Sequence, residues 1–155
     1  MRAVLTRVKS ASVTIDGNRV GEIGKGFLIL LGVGPADTRE DVRYLAEKAL
    51  SLRIFEDEAG KMNRSLLDVK GSMLIVSQFT LFADTTQGRR PYFGNAAPPQ
   101  LADELYEKFK AEAAKFVPVA CGKFGADMQV SLCNDGPVTI MLEAIRNDAG
   151  KITLI

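Results

Sequence analysis

The sequence predicts an α+β fold, in which a strongly twisted, largely antiparallel and barrel-like sheet carries two main helices. Two observations favour this class. Segments with strand character outnumber those with helical periodicity, and many are separated by turn sequences of the hairpin type, which indicate antiparallel pairing. The chain has 155 residues and 46% hydrophobic content, enough to bury a substantial core. We therefore expect residues 1–155 to form a single domain.

The first part of the chain is rich in strand signals. Asp16-Gly17 is a strong turn sequence, and Gly24-Lys25-Gly26 predicts a second turn. The predicted strands are Arg2 to Lys9, Ala11 to Ile15, Val20 to Ile23, and Phe27 to Val33. Ala11 to Ile15 either continues the first strand or pairs with it, and Phe27 to Val33 is expected to be buried.

The next segment, Gly32-Val33-Gly34-Pro35-Ala36-Asp37, connects a strand to a helix in the manner of a dinucleotide-binding loop. Its third glycine is missing, Pro35 stiffens it, and the carboxylate of Asp37 would repel a phosphate. We therefore interpret it as a tight turn. Thr38 and Asp41 then resemble a capping box at a helix start. Helical spacing predicts a buried stripe of Val42, Leu45, Ala46, Ala49 and Leu50.

After this helix we expect a short strand at Leu52 to Glu56 and a hairpin tip at Asp57 to Lys61. The stretch Ser72 to Phe82 follows. Its first half is continuously apolar, as expected of a strand buried on both faces. Its second half turns polar without a Gly or Pro to end the strand. If the strand continues, one face carries Gln78 and Thr80, and the other carries Ser77, Phe79 and Leu81.

Ala83 to Pro99 is irregular, and a loop of this length inside a domain is usually functional or mobile. Within it, Arg89 and Arg90 stand close to Tyr92 and Phe93. Arginines beside aromatic residues can hold phosphate and stack on a base, whereas a solvated charged turn explains them as well. Pro98-Pro99 then predicts a helix start. The buried face of this helix is expected to contain Leu101, Leu105, Phe109 and Ala113.

The last part of the chain alternates strand and turn signals. Cys121 to Met128 is a glycine-punctuated loop, and Asn134-Asp135-Gly136-Pro137 predicts a turn. The role of Ala144 to Ile155 stays open. The predicted strands in this part are Phe116 to Ala120, Gln129 to Cys133, and Val138 to Leu142.

Composition excludes several function classes. The chain has no histidine, so a histidine-based hydrolase triad and the commonest zinc ligand are both absent. Cys121 and Cys133 are too few for a disulfide framework or a four-thiolate zinc site, and they suit a reducing cytoplasm. A net charge of +1 gives no global attraction to nucleic acid. The longest apolar run, Phe27 to Leu31, is too short to span a membrane.

Two polar stretches carry the functional hypothesis. The polar residues after the buried strand, Ser77 to Thr80, are costly unless they are hydrogen-bonded or face a ligand, although a strand end surfacing into solvent would also explain them. The stretch Asn134 to Thr139 is compatible with a plain β-turn. From the residues alone, both structural explanations stay open.

Together, however, the two stretches resemble the D-aminoacyl-tRNA deacylase family. Ser77-Gln78-Phe79-Thr80-Leu81 matches the signature Ser-Gln-Phe-Thr-Leu, and Asn134 to Thr139 matches Asn-x-Gly-Pro-Val-Thr. Separate matches in the same order are more specific than one short motif. The match is weakest beyond about Glu143. Further similar segments are Arg2 to Val8, Leu52 to Asp57, Gly88 to Pro91, and Phe124 to Val130.

The resemblance implies a cytoplasmic homodimer that hydrolyses the ester between a D-amino acid and the terminal adenosine of tRNA. Such enzymes also act on glycine mischarged on tRNA-Ala, and the resemblance implies neither cofactor nor metal. It implies further that the Gly136-Pro137 peptide bond is cis and enters the partner's pocket. There its carbonyl oxygens would hold the substrate's amino group and crowd the place of an L side chain. A rigid wall suits this task because it repels one enantiomer and ignores the other.

The resemblance also implies roles for single residues. The backbone N–H around Phe79 would stabilise the oxyanion, while Ser77 and Gln78 would hold that loop and the ribose. Thr80 would position water or substrate, because no histidine is available to deprotonate it. The 2′-hydroxyl of the substrate's ribose would assist. The remaining assignments are Phe124 and Met128 on the adenosine, Gly136, Pro137, Val138 and Thr139 as substrate-binding residues, and Arg89, Arg90 and Lys123 on tRNA phosphates.

Two alternatives come from other function classes. A non-catalytic tRNA-binding module would retain tRNA without cleaving the ester, but it predicts a basic stripe that the sequence does not show. A metal-independent hydrolase of small D-amino-acid esters would act without RNA. A purely structural dimer is a third option, and it leaves the polar residues Ser77 to Thr80 unexplained.

Overall fold

The computed structural model describes residues 1–147 and 152–154. Two helices and a short 3₁₀ turn, Phe79–Phe82, accompany the strands. The strands are β1 (Arg2–Ile15), β2 (Asn18–Ile23), β3 (Gly26–Gly32), β4 (Phe55–Glu56), β5 (Met62–Arg64), β6 (Ser72–Ser77), β7 (Val119–Cys121), β8 (Gln129–Arg146) and β9 (Ile152–Leu154). The helices are α1 (Arg39–Ser51) and α2 (Pro99–Ala114).

The main sheet has the strand order β7-β6-β3-β1-β8-β9, and β2 is attached to β1. Most neighbours are antiparallel, whereas β3 with β6 and β6 with β7 are parallel. The α+β class with two helices and a largely antiparallel sheet is therefore confirmed. β1 continues through both predicted segments as one strand. Its first half pairs with β3 and its second half with β2.

The expected barrel closure is wrong for the described residues. β2 comes close to β7, since a Cβ added at Gly21 would lie 2.6 Å from the carbonyl oxygen of Cys121. No hydrogen-bonded ladder joins these two strands, however, and β7 and β9 end the strand order of the sheet. The sheet therefore curls but stays open in the part of the chain that the structure describes.

Both faces of the central strands are covered. In β3, Phe27, Ile29 and Leu31 face the helices, while Leu28 lies in a second apolar cluster on the opposite face. The same alternation occurs in β6, which confirms the prediction of a strand buried on both faces. The two helices pack on each other and on one side of the sheet.

The helix predictions are confirmed with one adjustment. Thr38 and Asp41 form the expected capping box, and the predicted stripe of α1 is buried. Pro99 occupies the first turn of α2, as predicted. On α2, Leu101 is only half-buried, and Ala102 and Tyr106 share the buried face with the other predicted residues. The buried face is wider than predicted because α2 contacts α1 and also the strands β6 and β7.

The strand predicted to continue past Ser77 ends there. The amide of Gln78 donates to the carbonyl of Leu31 at 2.8 Å, which is the last bond to the sheet. The chain then folds into the 3₁₀ turn, where Leu81 N donates to Gln78 O and Ala83 N donates to Thr80 O. The two alternating faces proposed for residues 77–81 therefore do not form.

The turn predicted at residues 134–137 is instead a bulge inside β8. Thr6 of β1 pairs with Thr139, and Val8 pairs with Asn134, so residues 135–138 project from the ladder. β8 continues on both sides because β1 pairs with it from Gln129 to Glu143. Two other predicted strands are shorter or shifted, since β4 starts at Phe55 and β7 covers Val119–Cys121.

The C-terminal part adds to the sheet. β8 extends to Arg146, and β9 pairs with Ala144, Ile145 and Arg146. Of the tail whose role the sequence leaves open, residues 148–151 and 155 lie outside the described residues. Across the described ranges, the helices are too short or too polar to cross a lipid bilayer.

Candidate active site

A cleft of about 580 Å³ opens where β3 and β6 end, between the 3₁₀ turn, the start of α2 and the loop before β8. This volume lies in the range of pockets that bind small molecules and cofactors, roughly 300–1,000 Å³. The lining is mostly apolar. It consists of Leu31, Val33, Val76, Ser77, Gln78, Phe79, Phe93, Ala96, Ala97, Pro99, Ala102, Phe124, Gly125, Ala126, Asp127, Met128 and Val130.

The 3₁₀ turn presents backbone donors at the cleft. The N–H groups of Phe79 and Thr80 are the first two of the turn, so no carbonyl within it can accept from them. Among the described residues, none accepts a hydrogen bond from either amide. Unpaired amides beside an apolar cleft form a site for a carbonyl oxygen that becomes negative during a reaction.

Aromatic rings cover one side of this turn. Phe79 is 54% exposed, although its ring packs edge-on against Phe93 with 5.3 Å between centroids. Both residues line the cleft. An exposed aromatic pair at the rim of an apolar cleft is suited to contact with a base or an aromatic side chain.

Thr80 has no strong base as its hydrogen-bond partner. The side-chain amide of Gln78 donates to its hydroxyl oxygen, and Thr80 is exposed to solvent. An amide cannot take the proton of a hydroxyl, so this arrangement orients Thr80 without making it a nucleophile.

The opposite wall is formed by Phe124 and Met128. The ring of Phe124 packs against Tyr106 of α2, with centroids 6.1 Å apart. Tyr106 is buried, and its hydroxyl donates to the carbonyl of Ile75 at 2.8 Å. Burial raises the pKa of Tyr106, so its hydroxyl keeps the proton that this bond needs. Gly122 lies directly under the sulfur of Met128, where a side chain would clash.

The bulge of β8 is held by a buried arginine. Arg7 has a side chain only 5% exposed; its Nε donates to Asp135 O at 2.8 Å and its Nη1 to Ile54 O at 2.6 Å. Asn134 accepts from the amide of Val138 at 3.1 Å across the bulge. These bonds fix the main chain on both sides of Gly136 and Pro137, whose peptide bond is cis.

Residues 136–139 do not line the cleft of their own chain. Gly136, Pro137 and Thr139 are exposed, while Val138 is half-buried against the core. The structure therefore separates the two motifs, with Ser77, Gln78 and Phe79 at the cleft and the Gly-Pro bulge outside it.

Comparison with models of known protein families identifies the family of this chain. A model of the family described as D-Tyr-tRNA(Tyr) deacylase matches residues 4–143. The chain belongs to this family. The matched range contains both motifs, the whole cleft and the bulge, and it stops before the end of β8.

Two solved structures share the fold. The chain resembles one titled "c-Myc DNA Unwinding Element Binding Protein" with a TM-score of 0.89 and 42% identity, covering 94% of this chain and 99% of that one. It also resembles a "probable eukaryotic D-amino acid tRNA deacylase" with a TM-score of 0.78. The second pair is 19% identical, with coverage of 90% and 97%, and shows the fold alone.

The basic residues expected at the phosphates lie outside the cleft. Arg89 and Arg90 are exposed on a loop that Asp84 and Tyr92 close through two backbone hydrogen bonds of 2.8 and 2.9 Å. Lys123 is exposed next to Phe124, at the other side of the cleft. All three basic residues are therefore exposed and lie outside this deacylase-family cleft.

Several residues of the site were missed in the sequence. Ala96, Ala97 and Ala102 form a wall of small side chains that leaves the cleft open. Arg7 was also missed, although an arginine within an otherwise buried strand was a usable signal. No group of three or more His, Cys, Asp or Glu side chains in the described ranges could hold a metal ion.

Proposed function

We propose that this protein hydrolyses the ester bond of D-aminoacyl-tRNA, and of glycyl-tRNA mischarged on tRNA-Ala, releasing the free amino acid and tRNA. The observation that carries the proposal is the unpaired amide of Phe79, a residue that lines the apolar cleft, together with the unpaired amide of its neighbour Thr80, in a chain of the deacylase family. The reaction would remove D-amino acids before they enter translation in the cytoplasm.

In this proposal, a water molecule attacks the ester carbonyl carbon and a tetrahedral oxyanion forms. The amides of Phe79 and Thr80 stabilise that charge, a contribution of about 10²–10³ in rate for one such donor. The bond to the ribose 3′-oxygen then breaks, and this oxygen takes up a proton. Because the chain has no histidine, the neighbouring ribose 2′-hydroxyl relays the proton from water to the leaving oxygen.

The same cleft would hold the end of the tRNA. Phe124 and Met128 pack on the terminal adenosine, and Ser77 and Gln78 hold the turn and the ribose. Arg89, Arg90 and Lys123 contact phosphates outside the cleft, where their charges keep their hydration until RNA binds. The net charge of +1 agrees with local contact at the acceptor end and not with wrapping of the tRNA body.

Chirality would be read by a second subunit. Since Gly136 and Pro137 are exposed and lie outside their own cleft, we propose that a homodimer inserts these two residues of each chain into the partner's cleft. Val138 and Thr139 complete this wall. Arg7 and Asn134 hold the bulge in place through hydrogen bonds. The bulge is therefore rigid and excludes an L side chain by steric clash.

The decisive experiment follows D-Tyr-tRNA with the label on the amino acid. Loss of the ester above the buffer rate supports the proposal, whereas retention of intact D-Tyr-tRNA would indicate a binding module. A D-tyrosine methyl ester is assayed in parallel. Cleavage of this ester at a rate similar to that of D-Tyr-tRNA would indicate a small-ester hydrolase and overturn the proposal.

A cleft-filling variant links activity to the site. Ala126→Trp places a large side chain in the cleft and is expected to abolish hydrolysis, because the adenosine no longer fits. Ala114→Trp, at the exposed end of α2, is the matched control and should keep the wild-type rate. Full activity of Ala126→Trp would show that hydrolysis occurs elsewhere.

A further inference from the structure

The 3₁₀ turn is held from outside the cleft by Arg2, the first residue of β1. Its Nη1 donates to the carbonyl of Leu81 at 2.8 Å, and its Nε donates to a carboxylate oxygen of Glu143 at 2.7 Å. Its guanidinium carbon also lies 4.6 Å from the ring centroid of Phe82. One side chain therefore joins β1, β8 and the far end of the turn.

The turn rests on two glycines of the Gly-x-Gly sequence at the end of β3. A Cβ added at Gly32 would lie 3.0 Å from Gln78 O, 3.1 Å from the Cβ of Leu81 and 3.2 Å from the ring of Phe82. A Cβ added at Gly34 would lie 3.0 Å from the same ring. The glycines thus let the turn approach the strand closely, so the sequence that resembles a dinucleotide loop forms a seat for it.

Such support matters because the turn is short. It contains four residues, and single turns of 3₁₀ geometry have weak internal hydrogen bonds. Its position must therefore be set by contacts on its outer side. Arg2 holds it at Leu81 and Phe82, and Gly32 and Gly34 determine how deeply it sits.

We propose that Arg2 is a positioning residue for the reaction, acting with Gly32 and Gly34 to place the amides of Phe79 and Thr80. This inference rests on the proposed deacylase function. Arg2 is not among the residues that line the cleft. It acts through the turn, and misplacement of reacting groups by roughly 1 Å can lower a rate by about 10².

The first test compares Arg2→Met with Arg2→Lys, using D-Tyr-tRNA. Met keeps an apolar stem against Phe82 but cannot donate to Leu81. Lys keeps the charge and donates to one acceptor, but lacks the fork that reaches two. We expect Met to lower kcat about tenfold with KM changed less than about twofold, and Lys to recover part of the loss. Arg19→Met removes an exposed arginine of β2 and is the matched control.

The second test changes the glycines on which the turn rests. The Cβ added by Gly32→Ala would contact the turn and displace it, so we expect a lower kcat, again with KM nearly unchanged. Gly24→Ala is the control, since a Cβ there meets nothing within 4 Å. If Gly32→Ala does not fold, Gly34→Ala takes its place, because its added Cβ meets chiefly the ring of Phe82.

The outcomes separate this inference from the function on which it rests. An inactive wild-type protein would overturn the proposed function. An active wild type whose Arg2→Met variant keeps its kcat, or changes only KM, would overturn the positioning role alone. Equal losses in Arg2→Met and Arg2→Lys, without partial recovery, would also contradict it.

Discussion

Thr80 illustrates how one residue can suggest a chemistry that its surroundings do not support. It is exposed at the cleft turn, and its hydroxyl accepts from the side-chain amide of Gln78. A nucleophilic threonine needs a base, and the chain contains no histidine. The neighbouring backbone amides, in contrast, need no activation.

We therefore expect Thr80→Ala to keep a substantial part of its activity, with kcat reduced by less than about 10², because only water or substrate positioning is lost. The measurement is kcat for D-Tyr-tRNA, with thermal unfolding and tRNA binding as controls. Complete loss of hydrolysis in a folded variant that still binds tRNA would make Thr80 the nucleophile.

The sequence pattern pointed to the residues that line the cleft, but it did not point to the arginines that hold the 3₁₀ turn and the bulge in place. Ser77, Gln78 and Phe79 follow from a polar break after a buried strand. Arg2 and Arg7 do not, because their bonds reach Leu81 and Asp135, which are 79 and 128 positions away. A single sequence carries no signal for contacts at such separations, so only the fold reveals them.

At the scale of elements, local sequence predicted the type of most strands and helices but not where two of them end. The buried run of β6 predicted a strand, yet after the bond from Gln78 to Leu31 the chain leaves the sheet and folds into the 3₁₀ turn, which local sequence does not encode. Asn134 to Pro137 has turn chemistry, but β1 pairs on both sides and converts the turn into a bulge. In the second case, pairing with the neighbouring strand overrides the local preference for a turn.

The N-terminal end of helix α1 is hydrogen-bonded to Arg146, the last residue of β8. Arg146 donates to Asp41 at 2.8 Å and to the hydroxyl of Thr38. Burial of Asp41 favours its neutral form, but hydrogen bonds from Arg146 and Thr38 outweigh this and hold the pKa of Asp41 below its ordinary value. A lowered pKa means that the folded state favours the ionised carboxylate.

Asp41 therefore stabilises the protein at neutral pH, and this contribution disappears as the pH falls through its lowered pKa. We expect Asp41→Asn to lower the free energy of unfolding by about 1–3 kcal/mol at about pH 7. The gap to wild type should begin to shrink once the pH falls below about 3.9, the ordinary aspartate pKa, and should continue to shrink as Asp41 takes up its proton at lower pH. Chemical denaturation measures it, with Glu47→Gln on the exposed face of α1 as control. A gap that is constant over this range would contradict the assignment.

At the scale of the whole molecule, the proposed stabilisation of the oxyanion by main-chain amides requires no metal ion. The chain lacks histidine, and its described residues contain no cluster of metal ligands. We expect 1,10-phenanthroline, which binds zinc but leaves the magnesium that tRNA needs, to leave the rate of D-Tyr-tRNA hydrolysis unchanged. The non-chelating 1,7 isomer is the control. Inhibition by the first compound alone, reversed by added zinc, would contradict the metal-free mechanism.

The separation of cleft and bulge predicts sites shared between subunits. Gly136 has a φ of +135°, and a Cβ there would lie 2.8 Å from the side chain of Val138, so Gly136→Ala should distort the bulge and admit L-Tyr-tRNA. Ala126→Trp blocks the cleft but leaves the bulge intact. When Gly136→Ala is refolded with excess Ala126→Trp, each intact cleft should receive an intact bulge.

In such mixed dimers we expect hydrolysis of D-Tyr-tRNA to persist while hydrolysis of L-Tyr-tRNA disappears, because the intact bulge acts in the other chain. Both rates are measured on the same sample. Persistent hydrolysis of L-Tyr-tRNA would show that each bulge serves its own cleft. A sedimentation mass equal to the 16.8 kDa of one chain would exclude the shared site.

The most direct measurement is the ratio of the initial rates at which the wild-type protein hydrolyses D-Tyr-tRNA and L-Tyr-tRNA. If main-chain atoms of Gly136 and Pro137 occupy the place of an L side chain, the D substrate is hydrolysed at least about a hundredfold faster. Similar rates on both enantiomers would contradict selection by the Gly136-Pro137 bulge.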